Sequence, residues 1–127
     1  MNVLLDTHAL LWFYSGDAQL SLTSQALIKD TSNNCYVSIA SIWEITIKYN
    51  IGKLELENPL TDLFEFIKRN QISVIPIEFD HLLKLSSLPL IHRDPFDRII
   101  IAQGITEKLT VISKDRFFTD YDLPIIW

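Results

Sequence analysis

The sequence predicts an α/β fold: one three-layer α/β/α domain over residues 1–127 with a mostly parallel central sheet. Three observations carry that expectation. Short apolar runs, among them Val3-Leu4-Leu5 and Thr110-Val111-Ile112, have the continuous hydrophobicity of strands buried on both faces. These runs alternate with longer segments of helical periodicity, the pattern of strand–helix–strand crossovers. At 127 residues, 48% of them hydrophobic, the chain holds enough material for one core and too little for two.

The elements follow in order. Residues 2–5 read as the first strand. Thr7 is placed to cap a helix running to about Tyr14, and Ser15-Gly16-Asp17 ends it. A second helix is expected over 23–30 and a strand over 35–38. Ser38 or Ser41 can cap the next helix, which reaches Asn50, with Gly52 fitting its end. Leu60, Leu63, Phe64 and Ile67 recur at helical spacing, so 60–70 is an amphipathic helix. A strand over 72–75 and a helix over 78–86 come next. Pro95 takes the first-turn position of a helix running to Glu107. Strands over 110–113 and 123–126 complete the series.

Composition excludes several classes. With aromatics at 11% and only 3 Gly and 5 Pro, the chain is neither disordered nor linker-rich. The lone Cys35 lies in a strand and reads as a small buried hydrophobe rather than a catalytic thiol. The apolar start carries Asp6 and His8 and lacks a basic n-region, which argues against a signal peptide. No stretch approaches a membrane span, so a cytoplasmic protein is the default expectation. The net charge of −5, with 11 Lys and Arg, predicts weak non-specific affinity for nucleic acid. Bound divalent cations would cancel much of an acidic cluster, and Lys48, Lys53, Arg93, Arg98, Lys114 and Arg116 all fall near acids in the sequence.

Four acids stand where isolated charge is disfavoured: Asp6 and Asp115 after apolar strands, and Glu44 and Asp97 within apolar helices. In open parallel sheets ligands bind outside the carboxyl ends of the strands, and all four segments can deliver oxygen to that rim. Mg²⁺ and Mn²⁺ take oxygen ligands, and water on such an ion is acidified and set to attack phosphorus in line. Each acid also has an ordinary reading. Asp6 can cap the first helix, and Glu44 with Lys48 has the i,i+4 spacing of an ion pair. Asp97 suits a helix N-terminus, Asp94 with Arg98 can form a surface pair, and Asp115 can be a turn residue. One site accounts for all four together more simply than four coincidences do.

The hydroxyls of Thr7, Ser38, Ser41 and Ser113 can orient a carboxylate or cap backbone. His8, His81 and His92 share no zinc-like spacing, and His92 reads as a loop histidine. No glycine-rich phosphate loop exists, and Trp12, Trp43 and Trp127 read as core or interface.

Leu4-Leu5-Asp6-Thr7-His8, Ser41-Ile42-Trp43-Glu44-Ile45, His92-Arg93-Asp94-Pro95-Phe96-Asp97-Arg98 and Ser113-Lys114-Asp115 resemble the motifs of PIN-domain proteins. More narrowly they resemble the VapC-type ribonuclease toxins of bacterial toxin–antitoxin pairs, nearly from end to end. The Asp94-Pro95-Phe96-Asp97-Arg98 segment and the stretch 43–54 are its most specific parts. The resemblance implies Mg²⁺- or Mn²⁺-dependent RNA cleavage, with Asp6, Glu44, Asp97 and Asp115 as metal ligands. Thr7, Ser41 and Ser113 would support them, and Lys48, Arg93, Arg98, Lys114 and Arg116 would meet RNA phosphates. It also implies a homodimer silenced by a small antitoxin, often through a basic side chain near the acids. Ser113 stands where many relatives carry Thr, and beyond Asp115 the side chains of Phe117 and Phe118 offer no further acid.

Rival classes fit less well. An aspartyl phosphatase would want a second Asp where His8 stands, and a signal receiver an early acidic pair and a late lysine. A catalytically weak module that only engages an antitoxin is the non-enzymatic alternative.

Overall fold

The computed structural model describes Met1–Trp127. Twelve elements follow one another: β1 (Asn2–Leu5), α1 (Thr7–Ser15), α2 (Leu22–Lys29), β2 (Asn34–Ser38), α3 (Ile39–Asn50), α4 (Leu60–Arg69), β3 (Ser73–Ile75), α5 (Phe79–Ser87), α6 (Pro95–Thr106), β4 (Thr110–Ile112), the 3₁₀ helix η1 (Arg116–Asp120) and β5 (Ile125–Ile126). The five strands form one sheet in the order β3-β2-β1-β4-β5, and every pair is parallel rather than most of them.

Alternation along the strands divides the core. Val3 and Leu5 of β1, Cys35 and Val37 of β2 and Ile112 of β4 join Leu10 of α1, Ile28 of α2, Ile45 of α3, and Leu63 and Ile67 of α4 on one face. Leu4 and Val111 point the other way, onto Ile100 and Ile101 of α6 and Phe118 of η1. Residues one apart on a strand thus serve opposite layers, which gives the three-layer arrangement. Cys35 is a buried free thiol whose pKa burial pushes up, as a packing residue requires.

Register positions the rim. Leu5 pairs with Val37 on one side and Ile112 on the other. The residues that follow, Asp6, Ser38 and Ser113, therefore stand side by side at the sheet's carboxyl end. β1 is the strand from which the chain winds outward in both directions, so its junction with β4 is the topological switch point.

Several caps differ from the sequence expectation. Asp6, not Thr7, is the N-cap of α1, its carboxylate accepting the amide of Ala9 at 2.8 Å. Both residue types cap well, but Asp6 keeps the extended backbone of the strand end while Thr7 is already helical. Ser38 caps α3, and Gly52 takes a positive φ of 76° just beyond its end. β5 is shorter than expected, and η1 corresponds to no element expected from the sequence. No helix is long and apolar enough to cross a membrane.

Gly104, unremarked in the sequence, holds α6 close to the sheet. A Cβ there would stand 2.9 Å from Leu123 Cδ1 and 3.0 Å from Val111 Cγ2. Gly104→Val should cost about 1–3 kcal/mol through overpacking, read as a lower urea midpoint at unchanged slope.

Candidate metal centre

Asp97 and Asp115 meet at the rim with a partner the sequence did not single out. His92 Nε2 lies 2.8 Å from Asp115 Oδ2 and 3.1 Å from Asp97 Oδ2. Ligand-type atoms of these three side chains all lie within 4.8 Å of one another. Asp97 arrives in the first turn of α6 because Asp94 caps that helix, accepting the amides of Phe96 and Asp97. Asp115 caps η1 by accepting the amide of Phe117 at 2.9 Å. Its own amide donates to the hydroxyl of Ser113 at 3.1 Å.

Asp6 and Glu44 stand outside that 4.8 Å group but within its electrostatic field. Asp6 is buried with no cation within ion-pair distance. Burial drives its pKa up, the Ser113 hydroxyl and the Ala9 amide hold it down, and the charge of Asp115 adds to the rise. Glu44 is 6% exposed, yet is well supplied: Thr7 donates to Oε1 at 2.8 Å and Lys48 to Oε2 at 2.7 Å. The Thr7 and Ser41 hydroxyls lie 2.9 Å apart. Since Thr7 has one proton and gives it to the carboxylate, Ser41 is the donor between them. The i,i+4 pair foreseen for Glu44 and Lys48 is present, but it is a half-buried link at the rim rather than a surface pair.

The carboxyl of Asp97 is pushed up to about 7. Desolvation is the largest cause and the neighbouring charge of Asp94 the next. His92 pulls the other way, and Asp6 and Glu44 push up further. All four acids foreseen in the sequence thus share one field.

The basic residues divide. Lys48 is held by Glu44, and Lys114 lies 5.8 Å over the Trp12 ring. Arg98 does not pair with Asp94; its Nη1 donates to the carbonyls of Pro89 and His92. It braces the loop instead, because Asp94 is turned into the helix as its cap. Arg93 and Arg116 are exposed and have no acidic partner.

His92 is no idle loop residue. The available signal was its place five residues before Asp97, in a loop leading into the rim; that it would reach Asp115 depends on a fold contact across 23 residues.

The donor chemistry suits a hard divalent cation: carboxylate oxygens of Asp97 and Asp115 at one point, with a buried, uncompensated Asp6 beside them. The PIN domain family matches residues 3–123. The chain belongs to the PIN domain family. Solved structures of similar fold include VapBC2 from Rickettsia felis bound to promoter DNA, at TM-score 0.75 and 15% identity, covering 99% of this chain and 98% of that one. DNA-bound VapBC from Salmonella typhimurium is similar at TM-score 0.72 and 14% identity, over 99% and 97% of the two chains. VapBC-1 from nontypeable Haemophilus influenzae reaches TM-score 0.68 at 14% identity, over 99% and 97%. No curated protein sequence matches.

The raised carboxyl of Asp97 fixes a sign. Between its ordinary value of 3.8 and about 7, the metal-free native PIN domain holds a proton that the unfolded chain has released. Stability from this group is therefore present below pH 4 and lost as pH rises through about 7. In EDTA, the stability difference between wild type and Asp97→Asn should shift against wild type across that window, measured by urea unfolding at each pH.

Proposed function

We propose that this PIN domain is a Mg²⁺- or Mn²⁺-dependent endoribonuclease, the toxin of a toxin–antitoxin pair. The observation that carries the reading is the meeting of Asp97 and Asp115 at the switch point, within the field of Asp6 and Glu44. These four acids are the proposed metal ligands. A bound ion supplies acidification of a water and neutralisation of phosphate charge. The chain's own residues do the rest. Thr7, with Ser41 behind it, and Lys48 fix the carboxylate of Glu44. Ser113 holds the turn that presents Asp115. Arg93 and Arg116, exposed on the two segments that carry His92 and Asp115, are the free cations for an RNA backbone. Lys48, Lys114 and Arg98 were also expected at phosphate; each is held by its own partner, so their part in binding is second to those two.

The likeness to proteins described as VapBC pairs supports a small antitoxin partner. A groove of about 700 Å³ beside α1 and α4, lined by Trp12 and Phe66 together with Lys48, Lys53, Glu57 and Asp62, supports a site for a segment of it that carries both apolar and charged side chains. Exposed Trp43, Phe79 and Leu83 support a second copy as homodimer partner. The weak-enzyme alternative, a module that only engages an antitoxin, draws support from one contact: Lys48 already neutralises Glu44.

Partner-free protein incubated with total RNA should cleave it on addition of Mn²⁺. Asp6→Asn and Asp97→Asn should each slow cleavage by about 100-fold or more, as loss of some 3 kcal/mol of charge stabilisation implies. Digestion patterns that metal and mutation leave unchanged would overturn the assignment. Millimolar Mn²⁺ should also raise the melting temperature of wild type and not of Asp97→Asn.

A further inference from the structure

We propose that His92 is a positioning residue whose Nε2–H holds the carboxylate of Asp115 in place beside that of Asp97. The inference rests on the metal-site reading and concerns how the ligands are kept in place before an ion arrives.

The ring has a built seat. Its Nδ1 accepts the backbone amide of Asp94 at 3.2 Å. An amide can only donate, so Nδ1 is the bare nitrogen and Nε2 carries the hydrogen. That hydrogen is donated to Asp115 Oδ2 at 2.8 Å, and Nε2 also lies 3.1 Å from Asp97 Oδ2. The ring packs edge-to-face against Phe117 and Phe118, with centroids 5.9 and 5.8 Å away. Its backbone is clamped too: the His92 amide donates to Tyr121 Oη at 2.7 Å, and Arg98 donates to its carbonyl. Tyr121 Oη in turn donates to the carbonyl of Pro89 at 2.9 Å. Rotation of the ring away from the acids would break its bond to the Asp94 amide and its packing on Phe117 and Phe118.

Such a donor answers a specific problem. Two carboxylates this close repel, and left alone they would turn apart. The Nε2–H bond fixes Asp115 Oδ2 and sets its positive end near Asp97 Oδ2, which opposes that turning. Asp115 Oδ1 is taken by the amide of Phe117, while no protein group donates to Asp97 Oδ1. The same tautomer argues against His92 as a ligand itself: its lone pair is on Nδ1, turned to Asp94, not toward the acids. Groups that orient metal-binding carboxylates in this way usually affect metal affinity by about 10–100-fold.

The test is Mn²⁺ and Mg²⁺ titration by calorimetry of wild type, His92→Phe and His92→Gln, with melting in EDTA to confirm that each folds. His92→Phe should weaken both ions by about 10–100-fold, and His92→Gln, whose side-chain N–H can reach the same point, should recover most of that loss. Should His92→Phe not fold, the wild type against His92→Gln and His92→Leu gives the same contrast. Unchanged or tighter binding in the apolar variant would overturn the proposal. So would a loss much larger for Co²⁺ than for Mg²⁺ that Gln fails to rescue, the mark of a nitrogen ligand. If wild type itself bound neither ion, the metal-site reading would fall first, and the inference with it.

Discussion

Acids outnumber cations at one end of the sheet, and the rest of the structure is arranged around that imbalance. Asp6, Glu44, Asp97 and Asp115 converge there, and Lys48 is the only lysine or arginine paired with any of them. A desolvated carboxylate without a counter-charge costs free energy, so the fold must supply polar contacts in place of positive charge. Helix starts supply much of it. Asp6 caps α1, Asp94 caps α6 and Asp115 caps η1, so three sets of free amides face the same rim. Each carboxylate meets both a hydrogen bond and a favourable local dipole. Capping and the proposed ligand role therefore do not compete. Asp115 gives Oδ1 to an amide and keeps Oδ2 for the rim.

The path from sequence to fold was short where the signal was local. Apolar runs and helical spacing set most elements to within a residue or two, because a strand buried on both faces or a helix with one apolar stripe leaves a mark in the residues themselves. Two adjacent cap formers, Asp6 and Thr7, left the start of α1 uncertain by one position. η1 left no mark because a single 3₁₀ turn has no periodicity to read. Between distant segments the sequence was silent. The bond between Thr7 and Glu44 spans 37 residues and that between His92 and Asp115 spans 23. Nothing in either segment names its partner. The four acids were nevertheless legible, since charge beside apolar runs is an exception that the chain itself displays. Arg98 was misread for the complementary reason: Asp94 four residues earlier satisfied the spacing of an ion pair, while the loop it actually braces is assembled only in the fold.

The acidic net charge takes on a more definite meaning in this light. Most basic side chains near the rim are already committed, to Glu44, to the Trp12 face or to loop carbonyls. Arg93 and Arg116 are not, and they sit next to His92 and Asp115 in the chain. An RNA strand drawn to two guanidinium groups would be brought up to the acids rather than held along a broad basic surface. Affinity would then depend on the ion and the local shape more than on bulk electrostatics.

The physical case against a purely binding role comes from the same imbalance. A surface that only captured a partner would gain nothing from keeping Asp6 buried without a cation or from raising the carboxyl of Asp97 to about 7. Both lower the stability of the native state near neutral pH, and both would be relieved by Asn or Ser at those positions. A divalent cation reverses the balance: it favours the ionised form of every acid that burial disfavours, and it binds the native arrangement and not the unfolded chain. The Lys48–Glu44 pair marks the limit of this argument, since there the counter-charge is already built in. Glu44 is therefore the acid whose contribution to an ion would be smallest, and Asp97, whose carboxyl burial and the charges of Asp94, Asp6 and Glu44 push up, the one whose contribution would be greatest.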